Sequence, residues 1–296
     1  MTKRWGRVAR WAAPVRILVF LGLLGMCWLP LAAPIALLVP DDNTVTIITM
    51  SLLFVAFLVF VPIWGRSVHG EARPLRRYGL VGSKQNGLEL LAGLVLGTVS
   101  LLAMFGVQAG LGWLEWRSAA PSLPGVILEG LLVSLGVGLA EELVFRGWIL
   151  DELDRDYSPR TALWSNSLLF AALHFLKPIP EMIRTFPQFP GLVLLGLALV
   201  WARRSTVSAA SASTHKTAQP PTAGRLGLPI GLHAGLVWGY YIMQVGELIQ
   251  YTNRVPVWLT GIDGNPLAGA IGLLFLAGIT LLIYLMYRRS HSRIPG

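Results

Sequence analysis

Apolar residues in this chain are gathered into long blocks that are separated by short polar stretches. Most blocks are about 20 residues long, which is the length a helix needs to cross the hydrocarbon core of a bilayer. Eight such blocks stand out, at 14–38, 44–64, 88–112, 125–149, 161–176, 190–202, 226–250 and 266–287. The pattern predicts an all-α integral membrane protein, built as a bundle of about eight transmembrane helices.

The composition supports this fold class. Of 296 residues, 54% are hydrophobic and only 13% are charged, whereas soluble domains carry about 25% charged residues. The net charge is +9. The basic residues that give this charge lie between the apolar blocks, as is typical of loops that face anionic lipid. Because no basic stripe with interleaved aromatic residues is present, we expect the lipid bilayer as a partner and no nucleic acid.

The loops alternate in charge and so predict the topology. The loop between the second and third blocks contains five basic residues, whereas the loop between the first and second contains two aspartates and no basic residue. Under the positive-inside rule this favours cytoplasmic termini at both ends. We expect a multi-pass protein of a bacterial inner membrane or a thylakoid membrane, with a flexible cytoplasmic linker at 205–224.

The chain divides into three predicted parts. Residues 1–84 hold two membrane helices and a basic cytoplasmic loop, and residues 85–250 form the core. Residues 251–296 add an outer loop, the last helix and a basic tail.

The fourth block ends in GLAEELVFRGWIL and contains three ionisable residues, Glu141, Glu142 and Arg146. Each charge inside a span costs about 2.5–3.5 kcal/mol on insertion scales, so intramembrane charges mark functional sites. Glu142 and Arg146 are i,i+4 neighbours and can pair. Glu141 is left without that partner, which makes it the candidate general base. The alternative is a structural salt bridge at the helix end.

Two histidines lie in later blocks. His174 follows Phe170 by four residues, and His233 is flanked by small residues. Each histidine alone is more often a packed core residue. Measured from the cytoplasmic ends of their helices, however, Glu141, His174 and His233 lie roughly 15, 20 and 10 Å deep. This common layer predicts that one carboxylate and two imidazoles converge on one cavity.

These residues resemble the motifs of a known family. Glu141 to Arg146 is similar to the EExxxR motif of the CPBP family of intramembrane proteases, also called the CAAX-protease, bacteriocin-processing or ABI family. Phe170 to His174 resembles its FxxxH motif, and His233 resembles the start of its third motif. The resemblance covers about residues 85–250, and the later WLTGIDGNPLAG stretch is similar to photosynthetic, cyanobacterial-type members.

The resemblance implies an eight-helix bundle that hydrolyses a peptide bond of a membrane-associated peptide or protein. It implies that Glu141 activates the attacking water with help from His174. Glu142 and Arg146 would hold the helix and orient the site, and His233 would stabilise the oxyanion.

One position departs from the family pattern. Four residues after His233 the eukaryotic prototype has Asn, and this chain has Val237. Valine cannot donate a hydrogen bond, and losing one oxyanion donor costs about 2.7–4 kcal/mol of transition-state stabilisation. A backbone N–H, a water or the indole N–H of Trp238 would then have to replace the missing donor.

Three alternatives stay open. Glu141, His174 and His233 also make a catalytic zinc set, although the sequence has no histidine pair at i,i+4 and we favour chemistry without a cofactor. The chain could instead be a non-proteolytic relative that binds and stabilises membrane proteins, which Val237 favours. A proton-coupled transporter would use the same carboxylate, but the sequence contains no inverted repeat.

Overall fold

The computed structural model describes residues 5–207 and 224–292. The predicted linker lies mostly outside these ranges, as do both termini, so the linker and the location of the termini remain predictions. In chain order the helices are α1 (Ala13–Leu38), α2 (Asp42–His69), α3 (Pro74–Arg77), α4 (Lys84–Gly110), α5 (Leu123–Glu142), α6 (Leu150–Asp156), α7 (Pro159–Leu173), α8 (Ile179–Thr185), α9 (Phe189–Ser205), α10 (Gly227–Val245), α11 (Val257–Thr260) and α12 (Ala270–Ser292).

Shorter elements connect these helices. A π-helical segment, Leu143–Ile149, joins α5 to α6 without a break. Two strands, β1 (Leu114–Trp116) and β2 (Ile249–Tyr251), pair antiparallel. The 3-10 turns are Trp5–Arg10, Phe186–Gln188, Ile262–Gly264 and Pro266–Ala268.

The predicted fold class is confirmed: the chain is an all-α, multi-pass integral membrane protein apart from the short hairpin. Within the described ranges, six helical stretches are long and apolar enough to cross a membrane, at 13–38, 42–69, 84–110, 123–156, 179–205 and 270–290. The predicted fifth and seventh spans correspond to α7 and α10, which are not among these six. Because α7 has only 15 residues, it is about 22 Å long and shorter than the roughly 30 Å hydrocarbon core. The count of eight therefore stays a prediction.

Several predicted boundaries were wrong. The fourth span was expected to end at 149, but the helix continues through the π segment to Asp156. The seventh was expected to reach 250, but α10 ends at Val245 and the residues after it form β2. A short apolar run does not distinguish a strand from a helix end. Pro30 and Pro34 lie inside α1 and Pro62 lies inside α2, and none of them ends its helix.

Helix α10 packs closely against α4 along a face of glycines. A Cβ built on Gly231 would lie 1.9 Å from the carbonyl oxygen of Leu90, so only glycine permits this approach. The Thr98 hydroxyl donates to the Gly235 carbonyl at 3.1 Å. Small residues bring membrane helices into van der Waals contact in this way, and the contact fixes the position of His233 on α10.

A buried ionic cluster on α6 holds α1 and α2 against the helix that carries the EExxxR residues. The Glu152 carboxylate is fully buried and accepts hydrogen bonds from Arg16 at 2.6 Å and from the Trp64 indole at 2.8 Å. A ring nitrogen of His69 lies 2.7 Å from the same carboxylate. Because Glu152 comes just after the π segment, this cluster anchors the C-terminal end of that segment to α1 and α2.

Candidate active site

The EExxxR residues lie where an α-helix changes into a π-helix. Glu141 and Glu142 are the last residues of α5, and Arg146 lies inside the π segment. The wide turn leaves the Phe145 carbonyl accepting from the Leu150 N–H, five residues later. The buried side-chain amide of Asn166 donates to the same carbonyl at 2.8 Å. Such π segments are rare and often occur at functional sites.

Glu142 and Arg146 form the ion pair that their spacing predicts. Arg146 Nη1 lies 2.9 Å from Glu142 Oε1, and both side chains are fully buried. Arg146 Nη2 also donates to the Gly196 carbonyl on α9 at 3.4 Å. The guanidinium carbon lies 4.2 Å from the ring centroid of Phe170, within cation–π range. Arg146 therefore links the EExxxR helix to the neighbouring helices α7 and α9.

Each histidine is oriented through its Nδ1 atom. His174 is the first residue after α7, and its Nδ1 lies 2.8 Å from the Phe170 carbonyl oxygen. The Nδ1 of His233 lies 2.9 Å from Glu142 Oε1, the oxygen that Arg146 also contacts. A carbonyl and an ion-paired carboxylate only accept hydrogen bonds, so both Nδ1 atoms are donors. Each Nε2 atom then points away from these partners.

The two Nε2 atoms converge on Glu141. Its Oε2 atom lies 3.8 Å from His174 Nε2 and 3.9 Å from His233 Nε2. Among the described residues this buried oxygen has no hydrogen-bond partner, because both distances exceed the hydrogen-bond range. The carboxylate and the two imidazoles that were predicted to share one layer thus lie together. Their catalytic roles are not tested by this geometry.

Both histidines line a cavity of about 280 Å³ between α4, α7, α9, α10 and α12. Its walls are mainly apolar, and Phe170 and Val237 are among the residues that form them. A few polar side chains also line it, namely Ser100, Lys177, Gln188, Tyr240 and Asn265. An apolar cleft with a few polar groups is typical of a small-ligand site. The Glu141 side chain is 30% exposed, while its Oε2 atom, which faces the two histidines, is buried.

The indole of Trp238, one of the three groups suggested as a replacement for the missing donor, has another partner. Its indole N–H donates to the Ile127 carbonyl on α5 at 2.9 Å, and Trp238 is not among the residues that line the cavity. Consecutive helix residues are rotated by about 100°. Since Val237 faces the cavity, the next residue on α10 turns towards α5 instead.

The zinc alternative can be compared with the spacing of its donor atoms. Two imidazole nitrogens and a carboxylate are suitable ligands, but ligands at about 2.0–2.1 Å in a tetrahedral site lie about 3.3 Å from each other. The observed gaps of 3.8 and 3.9 Å are wider. Within the part of the chain that the structure describes, no three His, Cys, Asp or Glu side chains are grouped to hold a metal ion. No step is therefore derived through zinc.

The bundle of membrane helices places a carboxylate and two histidines beside an internal cavity, an arrangement that suits an intramembrane enzyme. Residues 121–239 match the family model described as Type II CAAX prenyl endopeptidase Rce1-like. This segment is therefore similar to the CPBP family of CAAX-type intramembrane proteases, as its three motifs predicted, and the matched range contains all of them. The WLTGIDGNPLAG stretch lies outside it, so the cyanobacterial-type likeness stays a prediction.

Comparisons with curated proteins and with solved structures gave no match.

Proposed function

We propose that this protein is an intramembrane endopeptidase that hydrolyses an amide bond with a water activated by Glu141. The observation that carries the proposal is the position of Glu141 Oε2, 3.8 and 3.9 Å from the two Nε2 atoms. Because the Nδ1 of His174 is a donor, its neutral ring presents Nε2 as an acceptor beside Glu141 Oε2. Neighbouring acceptors at these distances suit a water molecule, which donates to two of them and keeps its oxygen free to attack.

In the proposed reaction the water contacts Glu141 Oε2 and His174 Nε2. Its oxygen forms a bond to the substrate carbonyl carbon while Glu141 takes one of its protons. The π electrons of the carbonyl move to its oxygen and give a tetrahedral oxyanion. When this intermediate collapses, the C–N bond breaks and the proton held by Glu141 passes to the leaving nitrogen. The products are a carboxylic acid and an amine.

His233 faces the same centre and is the proposed oxyanion donor. Its Nδ1 is already committed to Glu142, so it donates from Nε2 only when both ring nitrogens are protonated. The buried Arg146 keeps Glu142 in place as the partner of His233. Glu142 and Arg146 are thus positioning residues, and they do not touch the reacting atoms.

The substrate is proposed from the site and the family. The mainly apolar cavity beside both histidines suits an apolar side chain or lipid next to the scissile bond of a membrane-associated peptide or protein. The name of the matched family specifies a prenylated CAAX terminus. Prenylation is a eukaryotic modification, so in the bacterial membrane proposed for this chain another apolar group next to the scissile bond takes the place of the prenyl group. A farnesylated CAAX peptide serves as a probe that carries such an apolar group.

A non-proteolytic role as a binding factor for membrane proteins is the second candidate. It is favoured by Val237, which lines the cavity where the family pattern has a hydrogen-bond donor.

Comparative proteomics of membranes from cells that carry wild-type protein or Glu141→Gln separates the two candidates. The protease proposal expects at least one membrane protein to accumulate uncut in the variant strain. If Glu141→Gln, which is nearly isosteric, leaves every membrane protein processed as in wild type and every partner at its normal level, the protease proposal is refuted and the binding role is favoured.

A further inference from the structure

Helix α4 brings a hydroxyl group to the level of Val237, where the oxyanion hole needs a second donor. We propose that Ser100 donates a hydrogen bond to the oxyanion of the tetrahedral intermediate and so replaces the Asn of the family pattern. The inference rests on the proposed proteolytic function. In this role Ser100 transfers no proton, and its hydroxyl hydrogen only points at the negatively charged oxygen.

The first support is the register between α4 and α10. A Cβ built on Gly235 would lie 3.0 Å from the Thr98 nitrogen, and one built on Gly239 would lie 3.1 Å from a side-chain carbon of Leu101. The Gly235 Cβ would also lie 2.3 Å from the Leu94 carbonyl oxygen, and the Gly239 Cβ 3.6 Å from the Thr98 carbonyl oxygen. Residue 235 is therefore level with residues 94–98, and residue 239 with residues 98–101. A Cβ built on Gly97 would lie 2.8 Å from the Leu236 nitrogen, which together with these contacts places Ser100, three residues later, level with residues 237–239 of α10.

The second support is the shared cavity. Ser100, Val237, His233 and His174 all line the same cavity. Val237 comes one helical turn after His233, about 6 Å further along α10. A hydroxyl beside Val237 and the Nε2 atom of His233 therefore reach one oxygen atom from two helices.

The third support is that the Ser100 hydroxyl is available. Hydroxyls on membrane helices usually donate to a carbonyl of the preceding turn. Thr49, Ser167 and Thr280 do so here, at 2.7, 2.9 and 2.6 Å. No such bond is found for Ser100, whose hydroxyl has no hydrogen-bond partner anywhere in 5–207 or 224–292. Its donor capacity is left for a group in the cavity.

The other donors on α10 are less suitable. The indole N–H of Trp238 is bonded to the Ile127 carbonyl. Tyr240 lines the cavity but comes seven residues after His233, which places it about 10 Å further along the helix.

The test measures kcat and KM for a farnesylated, internally quenched CAAX peptide with the full-length protein in lipid nanodiscs. We expect Ser100→Ala to lower kcat by roughly 10²-fold or more, as the loss of one oxyanion donor does, with KM nearly unchanged. Ser100→Cys, which keeps the size but donates weakly, should behave like Ser100→Ala, and Ser100→Thr should keep most of the activity. Introducing Val237→Asn should restore turnover to the Ser100→Ala protein.

The matched control is Thr98→Val on the same helix, which removes a hydroxyl bonded to the Gly235 carbonyl. It should lower thermal stability without a selective loss of kcat. If Ser100→Ala and Ser100→Cys keep wild-type kcat while Glu141→Gln is inactive, the Ser100 inference is overturned and the proposed function stands. If neither the wild-type protein nor any Ser100 variant shows cleavage that Glu141→Gln abolishes, the proposed function fails and the inference about Ser100 fails with it.

Discussion

Replacement of Arg146 by methionine should destabilise the bundle strongly, since it leaves a buried carboxylate without its cation. Arg146 and Glu142 are both fully buried and lie 2.9 Å apart. Removing one member of a buried pair costs about 3–5 kcal/mol. Glu142 keeps its contact with His233 at 2.9 Å, so we expect the lower end of this range, about 3 kcal/mol.

The free energy of unfolding can be measured by titration with sodium dodecyl sulfate in mixed micelles, as a double-mutant cycle. The Glu142→Gln, Arg146→Met double variant leaves no unpaired buried charge and should be more stable than Arg146→Met alone. The reasoning would be refuted by an Arg146→Met protein within about 1 kcal/mol of wild type, well below the range for a broken buried pair. Additive effects in the cycle would also refute it.

Three further predictions follow from particular contacts. Gly231→Ala places a Cβ 1.9 Å from the Leu90 carbonyl oxygen and should lower the free energy of unfolding in the same titration by about 1–3 kcal/mol. The control Gly106→Ala on α4 has open space around its Cβ and should leave the free energy of unfolding unchanged. Trp238→Phe should leave kcat for the farnesylated peptide near wild type, because its N–H serves Ile127; a loss of roughly 10²-fold would make it an oxyanion donor. Dialysis against dipicolinate should leave turnover unchanged, and a loss that zinc restores would establish the metal alternative.

The sequence predicted those parts of the fold that depend on apolar blocks and local spacing. Long apolar runs were sufficient to recognise α1, α2, α4, α5 and α12 as membrane helices. The hairpin at 114–116 and 249–251 was missed, because its second strand continues an apolar helix and its partner is 135 positions away in the chain. The π segment was also missed, since its wide turn depends on side chains such as Asn166 that lie on another helix.

The site shows the same division between local and long-range contacts. The Glu142–Arg146 pair follows from i,i+4 spacing on one helix. The bond from His233 to Glu142 joins residues 91 positions apart, and no local pattern indicates which carboxylate a distant histidine contacts. The direction of Trp238 follows from helix geometry: five residues after His233 a helix has turned about 140° away from it, while Val237 is only about 40° away.

The central claim is that Glu141 is the base that activates water, and the cleavage rate of the farnesylated peptide by purified Glu141→Gln tests it most directly. Glu129→Gln, an exposed position on the same helix α5, is the matched control. Loss of a general base lowers the rate by about 10²–10⁴-fold, so the account predicts that Glu141→Gln is nearly inactive while Glu129→Gln cleaves like wild type. Wild-type cleavage by a folded Glu141→Gln protein would contradict it.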